Sequence, residues 1–300
     1  MTHQLTISQP VEVDGIGLHT AVKSHLRFLP APADTGIVFR RVDLDNFEIE
    51  AHVRNVARVS YATSLMKQGV LLSTTEHVLA ALYSSGIDNI YVEIDNLEVP
   101  ILDGSAQPFI DMLKKAGTRK LRRPRRFMQV VKPLEVVEGD RRIGIYPARN
   151  FRVRCYVDYA HPMVGQQDVE LVVNRETFSS QLASARTFGF MSDFDGLRAM
   201  GLIRGGSLEN AIVLTKDAIL NGPVRYPDEF GRHKALDLIG DLALIGKPLK
   251  ALVVAHKAGH ALHTQLVTRL LGDSSLWANG ARETAGETAS RTAFAVSAAS

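Results

Sequence analysis

Apolar and polar positions alternate in short runs at the start of each half of the chain and then change to a helical spacing. Alternation every second residue is typical of β-strands, and apolar positions three or four apart are typical of amphipathic helices. In the first half the strand-like runs are LTIS, HLRFLP, GIVFRRV, FEIEAHV and NIYVEID, with helical patterns at 73–85 and 105–116. In the second half they are FMQVVKPLEVV, RRIGIYP, FRVRCYVDY and VELVV, with helical patterns at 175–185, 193–200, 229–245 and 261–271. Strands before helices in each half predict an α+β fold with helices packed on mostly antiparallel sheets.

A strongly basic run separates the two halves and sets the predicted domain boundaries. Residues 114–126, KKAGTRKLRRPRR, hold eight basic and no acidic side chains, although the whole chain has a formal net charge of only +3. Such a run can attract nucleic acid or anionic lipid headgroups, but Pro124 and few apolar neighbours favour a solvated linker. We therefore predict an N-terminal α+β domain, a basic linker, a C-terminal α+β domain and an Ala-, Ser-, Thr- and Gly-rich disordered tail. Their predicted bounds are 1–120, 121–126, 127–271 and 272–300.

The composition indicates a soluble globular protein of the cytoplasm. Of the 300 residues, 45% are hydrophobic and 22% are charged, which is ordinary for a globular chain. No apolar run approaches the roughly 18 residues of a membrane span, and the first residues lack the pattern of a signal peptide. Because Cys155 is the only cysteine, neither an intrachain disulfide nor a thiolate-cluster metal site can form, and a reducing compartment is expected.

The helical pattern at 229–245 is apolar almost all round, with one narrow polar stripe. At about 100° per residue, His233, Lys234, Asp237 and Asp241 fall within one arc of roughly 100°. A helix apolar on its other faces is normally buried, so the stripe is expected to face a cavity. His233 and Asp237 stand at i and i+4, a spacing that can place both side chains on one metal ion. A buried ion-pair stripe between helices explains the same pattern equally well.

A second candidate cluster, Glu76-His77, lies at the start of the helical pattern at 73–85. His77 is a candidate third metal ligand, and Glu76 is a carboxylate that can accept a proton from an attacking water. Ser73-x-x-Glu76 also matches a capping box, in which both side chains satisfy backbone donors at the helix start. By spacing alone the capping role is the better interpretation of Glu76.

Three more residues, His260, Asp241 and Thr187, are candidates for catalysis, and each also has an ordinary structural explanation. His260 follows the apolar run KALVVAH, where a histidine can face a site or lie on the surface at a helix start; His256 and His263 are its local competitors. Asp241 can hold such a histidine cationic or make a helix-to-helix hydrogen bond. Thr187, in SARTFGF, can donate to a developing oxyanion, with a turn or capping role as the default.

These motifs, in this order, resemble the UDP-3-O-acyl-N-acetylglucosamine deacetylase family, whose members carry out the committed deacetylation of lipid A synthesis in Gram-negative bacteria. The likeness covers about residues 5–271. TEH, HKxLDxIGD and GH in that order are its most specific elements. The matching segments are GIGLHT (15–20), STTEHVLAAL (73–82), GIDNI (86–90), PILDGSA (100–106), ARTFGF (185–190), GGSLENAIV (205–213), DEFGRHKALDLIGDL (228–242) and KAGHAL (257–262).

The resemblance implies an active site between two domains and a zinc-dependent hydrolysis of an N-acetyl group. The substrate would be UDP-3-O-(3-hydroxyacyl)-N-acetylglucosamine, and the products UDP-3-O-acyl-glucosamine and acetate. One Zn²⁺, or alternatively Fe²⁺, would be held by His77, His233 and Asp237. The implied catalytic roles are general base for Glu76, cationic partner of the oxyanion and leaving amine for His260, support of that charge for Asp241, and oxyanion binding for Thr187.

The resemblance also implies how the substrate is held. The residues expected to bind it are Lys234, His19, Phe188, Ile203, Gly206, Ser207 and Val213, of which those near 203–213 would form an apolar passage for the acyl chain. Where relatives carry a lysine after the EGD turn, this chain has Arg141 and Arg142, either of which can bind the diphosphate. The expected partner is this small molecule alone, with no nucleic acid, no membrane span and a monomeric chain.

Three other function classes share parts of this pattern. A nucleic-acid-binding module would rest on the basic run, but the chain lacks an RNA-binding aromatic signature and a zinc-finger spacing. A metal hydrolase acting on another amide, such as a peptide, would use the same metal ligands and differ only in its substrate. A structural role without catalysis would leave Glu76 a helix cap.

Overall fold

A computed structural model of the chain describes residues 3–280, with six α-helices and nineteen strands in that part. The helices are α1 (Glu76–Ser84), α2 (Gln107–Ala116), α3 (Arg175–Gln181), α4 (Phe194–Ala199), α5 (Glu229–Leu242) and α6 (His260–Gly272). The strands of the first half are β1 (His3–Ile7), β2 (Val11–Ile16), β3 (Lys23–Pro30), β4 (Ile37–Arg41), β5 (Phe47–Glu50), β6 (Val56–Arg58), β7 (Ser64–Lys67), β8 (Val70–Leu72), β9 (Ile90–Ile94) and β10 (Thr118–Pro124). Those of the second half are β11 (Phe127–Val130), β12 (Leu134–Glu138), β13 (Arg141–Pro147), β14 (Arg152–Tyr159), β15 (Gly165–Val172), β16 (Phe188–Phe190), β17 (Ile212–Leu214), β18 (Leu249–His256) and β19 (Trp277–Gly280).

Each half builds one main sheet, and most of the strand pairs are antiparallel. The first half has a five-stranded sheet in the order β2-β3-β9-β4-β5, in which only β4 and β9 are parallel. The second has a seven-stranded sheet built around β18, which pairs antiparallel with β13 and parallel with β11 and β14. The side chains of β18 alternate strictly between buried and half-buried, as a strand with one covered face requires. The predicted α+β class is confirmed.

Helices α1 and α5, one from each half, lie packed against each other inside the molecule. Almost every side chain of both helices is buried, and the apolar cluster that they join contains residues of both halves. Leu79 and Leu236 are fully buried in it, and burial of one such side chain contributes about 1.5–3 kcal/mol. The two helices therefore hold together the first-half and second-half residues proposed for one site.

The linker prediction needs correction at 121–126. Residues 118–124 form β10, which pairs antiparallel with β1 at the other end of the first half. The basic run is partly neutralised, since Arg123 lies 3.1 Å from Asp34 and Arg125, just after β10, lies 2.7 Å from Asp88. Charge density alone indicated a solvated segment, but pairing with β1 satisfies the backbone while the charged side chains stay largely exposed. The domain boundaries themselves stay a prediction.

The disordered-tail prediction is wrong for residues 272–280. Gly272 ends α6, and Trp277–Gly280 form β19, which pairs antiparallel with β11. Trp277 packs against the core, and its Nε1 donates to the Leu270 carbonyl at 3.1 Å. This single aromatic residue supplies apolar surface that the small residues after it lack. Residues 281–300 lie outside the described part of the chain. Between residues 3 and 280, no helix has the length and apolar character needed to cross a membrane.

The close approach of α5 to α1 yields a first testable prediction. A Cβ added at Gly240 would lie 2.1 Å from the Glu76 carbonyl oxygen and 3.0 Å from its Cα, so Gly240→Ala must push the two backbones apart. We expect a loss of stability of about 1–3 kcal/mol or more, measured by urea unfolding. Gly196 in α4 is the matched control, because nothing lies within 4 Å of its added Cβ and alanine is the better helix former. Equal stability of the Gly240→Ala and Gly196→Ala proteins would contradict this packing.

Candidate active site

Three buried side chains converge where α1 meets α5. The Nε2 atoms of His77 and His233 each lie 3.5 Å from Asp237 Oδ1, and the three side chains are at most 5% exposed. All three donor atoms lie within 4.8 Å of one another. Two donors bound to one tetrahedral zinc ion lie about 3.4 Å apart, so the observed spacing fits a divalent metal. The predicted cluster of His77, His233 and Asp237 is thus brought together from helices that are distant in sequence.

The protonation of this cluster also suits metal binding. Burial lowers the pKa of His233 to about 3, despite the opposing charge of Asp237. Burial alone would raise the pKa of Asp237, but His233 and Lys234 outweigh it and hold that pKa well below its usual range. His233 Nδ1 contacts the Ala185 carbonyl at 3.1 Å, which leaves Nε2 as the free acceptor. A neutral imidazole and an ionised carboxylate are the forms that bind metal.

Lys234 pairs with a candidate metal ligand and also reaches a cavity. Its Nζ lies 3.0 Å from Asp237 Oδ2, so it is the ion-pair partner of a candidate ligand. The same side chain is one-quarter exposed and borders a polar cavity of about 380 Å³ beside α6. Arg141 lines this cavity and Arg142 does not. Of the two candidates for contact with the diphosphate, only Arg141 therefore lies at the cavity.

Glu76 is not a helix cap. No side chain caps the N-terminus of α1, and Ser73 Oγ instead accepts a hydrogen bond from Ser64 Oγ at 3.0 Å. Glu76 Oε2 accepts the backbone N–H of Thr63 at 3.0 Å. Burial raises the pKa of Glu76, against the opposing effects of His260 and His77. The capping-box interpretation is therefore wrong, and Glu76 is a buried carboxylate with a raised proton affinity next to His77.

Asp241, one turn beyond Asp237, holds two histidines of α6. Its Oδ2 lies 2.7 Å from His260 Nδ1 and 2.8 Å from His263 Nδ1. Burial lowers the pKa of His260, but the charge of Asp241 and its hydrogen bond outweigh this and raise the pKa to about 9. Burial likewise lowers the pKa of His263, and there Asp241 does not compensate. His260 is consequently a cation at neutral pH and His263 is not. His256, the other competitor, instead stacks on Tyr156 in the sheet.

An apolar cavity of about 300 Å³ lies beside the metal-ligand cluster. Phe188 connects the two, because its ring lies 6.3 Å from that of His233 and also lines the cavity. The predicted site residues on its wall are His19, Thr187, Phe188, Ile203, Gly206, Ser207 and Val213. Other side chains complete this wall, among them Tyr61, Phe194 and Leu197, and no motif in the sequence marks them. Phe194 and Leu197 show only the i, i+3 spacing of an amphipathic turn.

Two buried polar residues escaped the sequence reasoning. Glu98, fully buried, accepts the backbone N–H of His19 at 2.8 Å and the hydroxyl of Thr74 at 2.9 Å. It thereby fixes the loop that brings His19 to the cavity. Thr63, also fully buried, contacts Glu76 and Asp241. Neither residue has a spacing or motif that marks it, since both bind groups distant in sequence.

The chain is similar to known proteins over almost its whole described length. Residues 4–272 match the family model LpxC, described as UDP-3-O-acyl N-acetylglycosamine deacetylase. Proteins named UDP-3-O-acyl-N-acetylglucosamine deacetylase are 55% identical in Solibacter usitatus, over 92% of this chain and 94% of that protein, and 44% identical in Myxococcus xanthus, over 92% and 88%. One from Hahella chejuensis is 42% identical over 96% of both chains. The chain therefore belongs to the UDP-3-O-acyl-N-acetylglucosamine deacetylase family.

Proposed function

We propose that this chain hydrolyses the acetamide of a UDP-linked 3-O-acyl-N-acetylglucosamine, as the committed step of lipid A biosynthesis. Water adds to the acetamide carbonyl carbon, the C–N bond breaks, and acetate and the free glucosamine amine leave. The observation that carries the proposal is the convergence of His77, His233 and Asp237 beside Glu76 and a cationic His260. Family membership supports the choice of substrate. The cytoplasmic location and the monomeric state stay predictions of the sequence.

We assign one divalent cation, Zn²⁺ with Fe²⁺ as the alternative, to His77, His233 and Asp237. The chemistry that such an ion supplies is polarisation of the acetamide carbonyl and a lower pKa for water. The three side chains offer it two imidazole nitrogens and one carboxylate oxygen. This donor set suits zinc and ferrous iron better than magnesium or calcium, which prefer oxygen ligands.

Glu76 and His260 have different proposed roles in the reaction. Glu76, whose pKa is raised by burial, accepts the proton of the attacking water, because a base is most effective when its pKa lies near the working pH. His260, kept cationic by Asp241, stabilises the negative charge that develops on the carbonyl oxygen, together with the Thr187 hydroxyl. The proton for the departing amine comes from His260 or from Glu76.

The two cavities suit the two ends of this substrate. The apolar cavity takes the acyl chain through Phe188, Ile203, Val213 and their neighbours, where each buried methylene contributes about 0.8 kcal/mol. His19, Gly206 and Ser207 complete that wall. The polar cavity contains Arg141, which can pair with a phosphate through its planar guanidinium. Its two lysines already have carboxylate partners, Asp237 for Lys234 and both Asp140 and Asp158 for Lys257.

Deacetylation of UDP-3-O-acyl-N-acetylglucosamine by the purified, metal-loaded protein is the direct test. We expect acetate release by the wild type and at least a hundredfold lower kcat for Glu76→Gln, which keeps the acceptor for the Thr63 N–H but loses the base. Unaltered thermal stability of the variant would show that the loss is chemical. An inactive wild type with full metal content would overturn the proposed function, and an active Glu76→Gln would remove Glu76 as the base.

Metal content tests the assigned ligands independently of turnover. We expect His233→Ala and Asp237→Ala each to lose most of the bound metal after dialysis, because two donors remain where three are needed. His260→Ala is the matched control, since it removes a histidine of the same site that is not one of the three proposed ligands; it should keep its metal and lose turnover. Elemental analysis of the three variants gives the result. Stoichiometric metal in His233→Ala or Asp237→Ala would contradict the assignment.

The pH dependence of turnover should report the charge of His260. The cationic form exists below its pKa of about 9, so kcat/KM should fall as the pH rises through about 9. Asp241→Asn removes the charge that raises this pKa but leaves His260 buried, so the alkaline fall should move by more than one pH unit toward lower pH. A pH–rate profile of both proteins decides the point: an alkaline limb at the same pH in each would show that it reports another group.

A further inference from the structure

We propose that Thr63 is a positioning residue that fixes the base and the cationic histidine relative to each other. The inference rests on the proposed roles of Glu76 and His260. Thr63 lies just before β7 and is fully buried. It belongs to neither helix that carries the catalytic groups, yet it contacts side chains from α1, α5 and α6.

The backbone of Thr63 holds Glu76. Its N–H donates to Glu76 Oε2 at 3.0 Å. Its carbonyl accepts the N–H of Thr75 at 3.1 Å and the Thr75 hydroxyl at 3.0 Å. These contacts bind the Thr63 peptide to the residue immediately before α1, so the donor to Glu76 is fixed relative to the helix that carries this carboxylate.

The side chain of Thr63 holds the Asp241–His260 pair. Its Oγ1 lies 2.5 Å from Asp241 Oδ1 and 3.2 Å from His260 Nδ1. Asp241 is ionised, because the two histidines outweigh the effect of burial and lower its pKa to about 2. The hydroxyl therefore donates its proton to Asp241, since a carboxylate only accepts.

The two oxygens of Asp241 thus have separate donors. Oδ2 accepts from the histidines, while Oδ1 accepts from Thr63. Without the hydroxyl, Oδ1 would be a buried charged acceptor with no partner among the described residues, and the carboxylate plane would be free to turn toward another donor. The His260 ring, which is oriented by this carboxylate, would turn with it. A small displacement of a proton-transfer group costs rate rather than ground-state binding.

One residue consequently sets the distance between two groups that act on the same carbonyl. The main-chain N–H of Thr63 holds the base, Glu76, and its side-chain hydroxyl holds the Asp241–His260 pair. The two contacts can be separated experimentally, because Thr63→Val replaces the hydroxyl by a methyl group of similar size and keeps the N–H that binds Glu76.

The test compares Thr63→Val, Thr63→Ser and wild type in deacetylase kinetics. We expect Thr63→Val to lose at least tenfold in kcat with KM within about twofold and full metal content, and Thr63→Ser to keep at least a third of wild-type kcat. Thr63→Ala carries the same expectation as Thr63→Val and replaces it if the valine protein does not fold. Wild-type kcat in Thr63→Val, or an equal loss in Thr63→Ser, would overturn the inference.

Thr6→Val is the matched control for the loss of a buried threonine hydroxyl. Thr6 is also fully buried, and its Oγ1 accepts only the Ala31 N–H at 3.0 Å, in β1. We expect it to lower the melting temperature about as much as Thr63→Val while leaving kcat unchanged. A matching fall in kcat would mean that the Thr63 effect is one of general stability, which would also overturn the inference.

A readout without substrate separates this inference from the proposed function. In ¹⁵N-histidine-labelled, metal-free protein, the His260 ring resonance is identified by its absence in His260→Gln. We expect this resonance to shift in Thr63→Val and to stay near the wild-type position in Thr63→Ser and Thr6→Val. If the wild type lacks deacetylase activity, the proposed function fails and this resonance alone decides the inference. An unshifted resonance in Thr63→Val would overturn it.

Discussion

The contact of α5 with the first turn of α1 is the constraint on which the whole site depends. At Gly240 the two backbones approach so closely that a single Cβ would overlap the Glu76 carbonyl. The approach allows His77 Nε2 to reach within 3.5 Å of Asp237 Oδ1. Ordinary helix packing leaves about 8–10 Å between axes with side chains in between; here glycine removes that spacer. Strands β14 and β15 of the second sheet pack against α5, and almost every side chain of the two helices is buried.

Three of the buried carboxylates on these two helices, Glu76, Asp237 and Asp241, differ in proton affinity because each has different neighbours. Asp237 faces two histidines and Lys234, and its pKa is held low. Asp241 receives His260 and His263, and its pKa is also low. Glu76 accepts one neutral backbone N–H and is otherwise desolvated, so its pKa is raised. Burial raises the pKa of all three carboxylates, and the charges and hydrogen-bond donors around each one decide the final direction: the pKa of Asp237 and of Asp241 is lowered, and that of Glu76 stays raised. These directions suit the proposed roles of ligand, charge support and proton acceptor.

The predictions that held rest on strong local patterns, and the ones that failed rest on patterns with more than one physical cause. The all-round apolar helix at 229–245 is present as α5 and a following single turn at 243–245. The Ser73–Glu76 spacing matched a capping box, but Glu76 binds Thr63 and Ser73 binds Ser64. The basic run was predicted to be a linker because of its high charge density. Charge density does not reveal whether a partner strand lies nearby, and β1 is that partner. The tail was predicted to be disordered because most of its residues are small, but Trp277 in it packs against the core and begins β19.

The sequence by itself determined the six helices, the longer strands, the inward polar stripe of α5 and the identity of the candidate ligands. These follow from periodicity, which acts over a few residues, and from motifs that the family shares. The tertiary structure alone decided that Glu76 is not a cap, that Asp241 holds two histidines, and that Arg141 rather than Arg142 lines the polar cavity. It also revealed Thr63 and Glu98, because a buried polar residue is defined by the partner that satisfies it. For Thr63 that partner, Asp241, lies 178 positions away along the chain, beyond the reach of any local pattern.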